Sequence, residues 1–273
     1  MGKNERSLFL RQCRRIVIKI GTQVATTRDN RVDTSTLEHI VQQVAELVKN
    51  EKRQVIIVTS GAVAAGMQVL GWKKRPASIN YLQAAASVGQ SRLMRVYERS
   101  FRDLGINVGQ VLLTRDLFHV PQRRTNAQQT LLTLLNFGVI PIINENDSVA
   151  VEELKFGDND TLAALVTELL DAHLLLILTD VAGLYDRDPK AGQATLISEV
   201  RNFNRKIMAL GKIASGSGKG LGGIASKLKA ARYVTERGAV CIIAHGKRTS
   251  TIPAVMSGKQ VGTFFWPKGT LSS

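Results

Sequence analysis

The 273 residues are 44% hydrophobic and 22% charged, the balance of a folded domain and not of a disordered or fibrous chain. The two cysteines, Cys13 and Cys241, form no CxxC pair and the four histidines show no zinc spacing, which argues against a disulfide scaffold or a structural metal site. The net charge of +15 invites a polyanion, but its basic residues are scattered, as Arg14-Arg15, Lys73-Lys74-Arg75, Arg123-Arg124 and Lys227 with Lys229, without interleaved aromatics. A solvated basic surface or a pocket for small anions fits that pattern better than a nucleic-acid groove. Apolar runs such as 174–178 and 239–244 fall far short of the ~20 residues that span a bilayer. No apolar core precedes Arg14-Arg15, so a secretory signal is not expected and a cytoplasmic protein is.

In chain order, β-branched apolar runs at 15–20, 55–59, 108–114, 139–143, 174–179 and 239–244 read as strands. They are continuous and not alternating, which implies burial on both faces and a mainly parallel sheet. Helical patterns occupy 34–50, 79–104, 122–136, 160–170 and 224–237, the last closed by Gly238 as a C-cap. The first ~20 residues are expected to be partly frayed. Alternation of the two element types predicts an α/β protein, a three-layer αβα sandwich in one domain over 1–273.

Such sheets bind ligands beyond the carboxyl ends of their strands. Those positions hold small or polar residues: Gly21-Thr22-Gln23, Ser60-Gly61-Ala62, Thr114-Arg115-Asp116, Asn144-Glu145-Asn146-Asp147 and Asp180-Val181-Ala182-Gly183. The glycine-rich stretch 216–227 allows close backbone approach to phosphate, and the helix that follows adds its positive end. Gly218, Gly220 and Gly223 formally match a dinucleotide fingerprint, but helix-like 201–210 stands where a strand is required, and there is no Walker loop. Lys227 falls one turn into that helix. Lys19 sits near the end of an apolar strand, where an ammonium is costly unless it meets an anion; the competing reading is an edge-strand lysine reaching water.

The polar clusters at 144–147 and 157–160 lack calcium-loop spacing. They suit a divalent cation, a substrate ammonium or the orientation of lysines. Ser60 lacks the G-x-S-x-G elbow and a neighbouring His, so it reads as a hydrogen-bonding serine, not a nucleophile. Together these residues suggest phosphoryl transfer carried by lysines and backbone N–H groups.

The blocks VIKIGT (17–22), VTSGAVAAG (58–66), VGQSRL (88–93), VGQVLLTR (108–115), PIINENDSVA (141–150), GDNDTLAAL (157–165), LLILTDVAGLYDRDP (175–189) and GLGGIASK (220–227) closely resemble the glutamate 5-kinases of the amino acid kinase family. That resemblance implies the amino acid kinase fold and transfer of the ATP γ-phosphoryl group to the γ-carboxylate of L-glutamate, with Mg²⁺. The reaction would open proline synthesis, with proline as a feedback inhibitor and a homo-oligomer as the expected assembly. It implies that Ser60, Asp147 and Asn159 bind glutamate, Asp147 suiting the α-ammonium and the Asn159 amide the carboxylate oxygens. Lys19 and Lys227 would stabilise the transferring phosphoryl, with Asp160 orienting them. Thr179, Asp180 and the segment Leu221, Gly222, Gly223, Ile224, Ala225, Ser226, Lys227 would hold the nucleotide, with Lys19. Residues of about 14–170 would serve glutamate and about 171–265 ATP.

Two features depart from the family pattern. Many bacterial members continue into a C-terminal PUA domain, which this sequence does not show, and Gln23 replaces a small residue after Gly-Thr. The competing readings are a sibling kinase for N-acetylglutamate, aspartate, carbamate or UMP, and a basic nucleic-acid-binding protein. Asp147 disfavours an N-acetylated acceptor, whose nitrogen carries no charge.

Overall fold

The computed structural model describes residues 2–149, 159–189, 192–213 and 223–269. Among them are eight strands: β1 Arg15–Ile20, β2 Gln54–Val58, β3 Val108–Leu113, β4 Ile140–Glu145, β5 Leu174–Thr179, β6 Glu199–Val200, β7 Val240–His245 and β8 Thr263–Phe265. The α-helices are α1 Gly2–Gln12, α2 Thr22–Ala25, α3 Thr34–Lys49, α4 Ala62–Val69, α5 Ile79–Arg102, α6 Pro121–Asn136, α7 Asn159–Leu169, α8 Arg205–Ile213, α9 Ile224–Thr235 and α10 Thr251–Met256. One sheet of order β3-β4-β2-β1-β5-β7-β8-β6 joins the strands, parallel throughout except where β8 runs against β7.

Burial on both faces is visible in β1. Ile16, Ile18 and Ile20 pack with Leu37 and Ile40 of α3 and Leu93 and Tyr97 of α5. Val17 instead joins Leu162 and Val166 of α7 and Leu228 and Ala231 of α9 on the opposite face. Successive strand side chains alternate faces, so Lys19 shares the α7/α9 side with Val17. β1 lies in the middle of the sheet between β2 and β5, which removes the edge-strand reading of Lys19.

Other expectations are corrected. The N-terminal residues are helical, and buried Arg6 pins α1 to the far sheet edge by hydrogen bonds of 2.9 Å to the Ser198 carbonyl and 3.1 Å to Glu199. An Arg fork can secure an otherwise marginal terminal helix where propensity alone would let it fray. The helix-like 201–210 stretch begins later, at Arg205. α4 begins two residues after Ser60 and is too short to show a clear period of its own.

α4 and α5 touch backbone to backbone. A Cβ on Gly66 would lie 1.7 Å from the Ala85 carbonyl oxygen, and one on Gly89 would lie 1.8 Å from that of Ala62. Only glycine permits this crossing, which holds the N-terminus of α4 beside the end of β2.

Candidate active site

Three elements bring three charges together at the carboxyl end of the sheet. Lys19 near the end of β1 places Nζ 2.7 Å from Oδ1 of Asp160, the second residue of α7. Lys227, one turn into α9, places its Nζ 3.1 Å from Asp160 Oδ2, and Ser226 Oγ donates to the same oxygen at 2.6 Å. All three charged side chains are buried. Burial alone would raise the Asp160 pKa, but the ammoniums of Lys19 and Lys227 and the Ser226 hydroxyl override it and hold it at about 2. Burial and the neighbouring Lys19 charge lower the pKa of Lys227 against the opposing pull of Asp160.

Two ammoniums share one buried carboxylate, with the charge of Asp180 also acting on Lys227, so the three buried groups together carry net positive charge. A buried surplus of that kind is costly unless an anion meets it, and a phosphoryl group carries what is missing. Beside it, Thr179 ends β5 and donates to Asp180 Oδ1 at 3.1 Å. A mostly apolar cavity walled by Val181, Leu184, Tyr185, Leu210 and Ile224 opens next to these residues. Gly223 precedes α9 with no side chain capping the helix, which leaves the first N–H groups, at Ile224 and Ala225, for a ligand at its positive end, while the Ser226 N–H donates to the Gly223 carbonyl at 3.2 Å. Leu221 and Gly222 lie outside the described residues, as do Gly157 and Asp158.

A second cavity is walled by Ser60, Arg75, Asn144, Asp147 and Asn159 with Thr22 and the start of α4. Its floor is a chain of amides. The backbone N–H of Glu145 donates to Asn144 Oδ1 at 2.9 Å, which fixes that side chain's orientation. Asn144 Nδ2 then donates to Gln90 Oε1 at 2.8 Å, and Asn144 Oδ1 also accepts from Asn159 Nδ2 at 2.8 Å. Asn159 Nδ2 further contacts the Thr59 carbonyl at 2.6 Å and Ser60 Oγ at 3.1 Å. Three protein acceptors thus take up its two N–H groups, and buried Oδ1 has no hydrogen-bond partner among the described residues. This differs from the expectation that Asn159 donates to carboxylate oxygens: the group it has to spare is an acceptor, suited to an ammonium or a hydroxyl.

Asp147 opens the short 3₁₀ turn Asp147–Val149 after β4. Burial first, and the charge of Glu145 second, raise its pKa to about 7 against the opposing guanidinium of Arg75. Glu145 itself is buried with Arg115 Nη2 at 3.5 Å.

Among the singled-out residues, the structure gathers Lys19, Asp160, Lys227 and Ser226 into one cluster, and Ser60, Asn159 and Asp147 around one cavity. Sequence reasoning gave no role to Gln90, although the signal exists: it falls between buried Ala86 and Leu93 on the core face of α5. A buried amide at helical spacing needs a partner, and for Gln90 Oε1 it is Asn144 Nδ2 at the acceptor site.

The arrangement defines a phosphotransferase-like site without a Walker loop, and the comparisons agree. The family model described as the amino acid kinase family matches residues 14–245, and the chain belongs to that family. Its curated relatives include the glutamate 5-kinase of Geobacter sp. (strain M21), 49% identical over 97% of this chain and 70% of that protein. The glutamate 5-kinase of Moorella thermoacetica is 45% identical over 98% of this chain and 71% of that protein. In fold, the chain is similar to carbamate kinase from Giardia lamblia bound to AMP-PNP, with a TM-score of 0.66 at 16% identity, covering 94% of this chain and all of that one. It is also similar to the T. acidophilum isopentenyl phosphate kinase product complex, with a TM-score of 0.62 at 16% identity, covering 92% and 99%.

Proposed function

We infer that this chain catalyses ATP-dependent phosphorylation of the γ-carboxylate of L-glutamate to L-glutamyl 5-phosphate, the first step of proline biosynthesis. The carrying observation is Lys19–Asp160–Lys227, a buried cluster with surplus positive charge at the strand ends, flanked by one cavity suited to a base and another suited to an amino acid. On this reading residues of about 171–265 hold the nucleotide and those of about 14–170 hold glutamate.

The carboxylate acceptor is already a nucleophile, so no general base is needed and transfer is direct and in line. Lys19 and Lys227 approach the transferring group from β1 and α9, with Asp160 fixing both ammoniums so that little reorganisation remains during reaction. The N–H groups at the start of α9 take phosphate oxygens, and Thr179 and Asp180 line the nucleotide side. Asp147 and the free oxygen of Asn159 receive the α-ammonium, and Ser60 Oγ takes part in holding the acceptor. Among the described residues no group of three His, Cys, Asp or Glu forms a metal cage. Mg²⁺ would be carried in by the nucleotide, where phosphate oxygens and water would supply most ligands and the ion would offset phosphate charge.

Proline as an inhibitor and self-association belong to the same reading. Among the described residues no helix is long and apolar enough to cross a membrane. The test is ADP release with hydroxylamine trapping across glutamate, N-acetylglutamate, aspartate and carbamate. Glutamyl hydroxamate should form in proportion to ADP. A preference for another acceptor, or a phosphorylated protein turning over at the catalytic rate, contradicts the reading.

A further inference from the structure

In the sequence Arg75 belongs to a basic cluster on a presumed solvated surface. The structure turns it to a different use. Trp72, three residues earlier, packs on the small cluster of Ala62, Val63, Met67 and Leu82 between α4 and α5, and its ring lies 5.7 Å from that of Tyr81. The connection between the helices is thereby anchored, and Arg75 becomes part of the wall of the acceptor cavity together with Ser60, Asp147 and Asn159. Arg75 stays exposed at the rim of that cavity, its guanidinium is the one cation among the described residues of the wall, and its charge and that of Asp147 act on each other without a direct ion pair.

An α-amino acid presents an ammonium and a carboxylate on the same carbon. A cavity complementary to that end needs one anion and one cation side by side. The opposite, reacting carboxylate must point to Lys19 and Lys227, so those lysines are not available to the α-carboxylate. We propose that Arg75 is the specificity-determining residue that binds the α-carboxylate of the acceptor, while Asp147 binds its α-ammonium. The planar guanidinium offers two parallel N–H donors to such a carboxylate, which the neighbouring Lys73 and Lys74 cannot do. This assignment rests on the glutamate reading above and adds to it the group that makes the site prefer an α-amino acid to a simple carboxylate. A competing role is that Arg75 only neutralises Asp147 in the empty site. Removing it would then leave glutamate binding as tight as before or tighter, because the ammonium would no longer compete for the aspartate.

The experiment compares the wild-type protein with Arg75→Gln and Arg75→Lys. Three quantities are read: KM for glutamate, KM for ATP, and the inhibition constant of 4-aminobutyrate, which is glutamate without its α-carboxylate. In Arg75→Gln, KM for glutamate should rise about 10- to 100-fold, the loss of a charge-assisted pair. KM for ATP, the melting temperature and the weak inhibition by 4-aminobutyrate should change less than about twofold or by a degree or two. Arg75→Lys should fall between the two proteins. An unchanged or lowered KM for glutamate overturns the proposal, as does equal weakening of glutamate and 4-aminobutyrate. A wild-type protein that forms no glutamyl hydroxamate overturns the underlying reading instead.

Discussion

Lys19, on the central strand, and Asp160, at the start of α7, stand 2.7 Å apart in the interior, though 141 positions separate them in sequence. The carboxylate's other oxygen holds Lys227 at 3.1 Å, so one aspartate sets the positions of both ammoniums. Each lysine therefore reaches the site with its orientation already fixed.

Removing either ammonium should act mainly on the transition state, where charge spreads over the transferred group. Lys19→Met and Lys227→Met are expected to lower kcat by ~10²–10³, with smaller changes in either KM. Methionine keeps the stem's packing but leaves Asp160 with one partner, so some loss of melting temperature is expected as well. Arginine should restore little, since its fork does not replace a compact ammonium. Steady-state kinetics normalised to folded protein check this.

Asp147 predicts a pH dependence. Its carboxyl titrates at about 7 in the empty site, and only the ionised form pairs with an ammonium. KM for glutamate should rise as pH falls below about 7, approaching tenfold per pH unit, while kcat stays flatter. Asp147→Asn should raise that KM ~10- to 100-fold and flatten the profile between pH 6 and about 8. For stability the sign is opposite to that of a salt-bridged aspartate. A folded-state pKa raised above the unfolded value favours the fold at low pH, and this contribution disappears as pH climbs through about 7. Asp147→Asn should therefore not lower the melting temperature at pH 8.

Asp160 has the reverse linkage. Its folded pKa of about 2 lies below the usual carboxylate value of 3.8, so its stabilisation is present above the unfolded pKa and lost as pH falls through the folded one. Asp160→Asn removes the buried carboxylate that both ammoniums share and should destabilise by ~3–5 kcal/mol, as breaking a buried pair does. Equilibrium unfolding in urea at pH 7 measures it.

The amide chain supplies a fourth expectation. Gln90→Leu removes the acceptor of Asn144 Nδ2, freeing Asn144 to turn and Asn159 with it. An unpaired buried amide costs ~1–3 kcal/mol. KM for glutamate should rise several-fold while KM for ATP holds. Equal shifts in both would assign Gln90 to packing alone.

Gly89→Ala tests the frame. The added methyl carbon would meet backbone atoms of α4 that cannot step aside, since the Ala62 carbonyl oxygen would lie 1.8 Å away. Destabilisation at or beyond the ~1–3 kcal/mol of ordinary overpacking is expected, together with weaker glutamate binding as α4 shifts. Thermal unfolding and KM for glutamate on one preparation report both.

Continuous apolar runs, helical periods and strand-end polar residues were sufficient to read the αβα class, six of the strands and the two lysines that the fold gathers on Asp160. These signals are local: period and apolar content depend on neighbours within a few residues. The helical N-terminus, and β6 with β8, were not legible. The strands are only two and three residues long, and α1 is held by distant partners such as Glu199 for Arg6. The orientation of Asn159, the reach of Gln90 toward the site and the placing of exposed Arg75 on the rim of the acceptor cavity were decided only in three dimensions. Each depends on which acceptors or charges other elements present, and a hydrogen bond or a buried charge is settled by what stands opposite it in space.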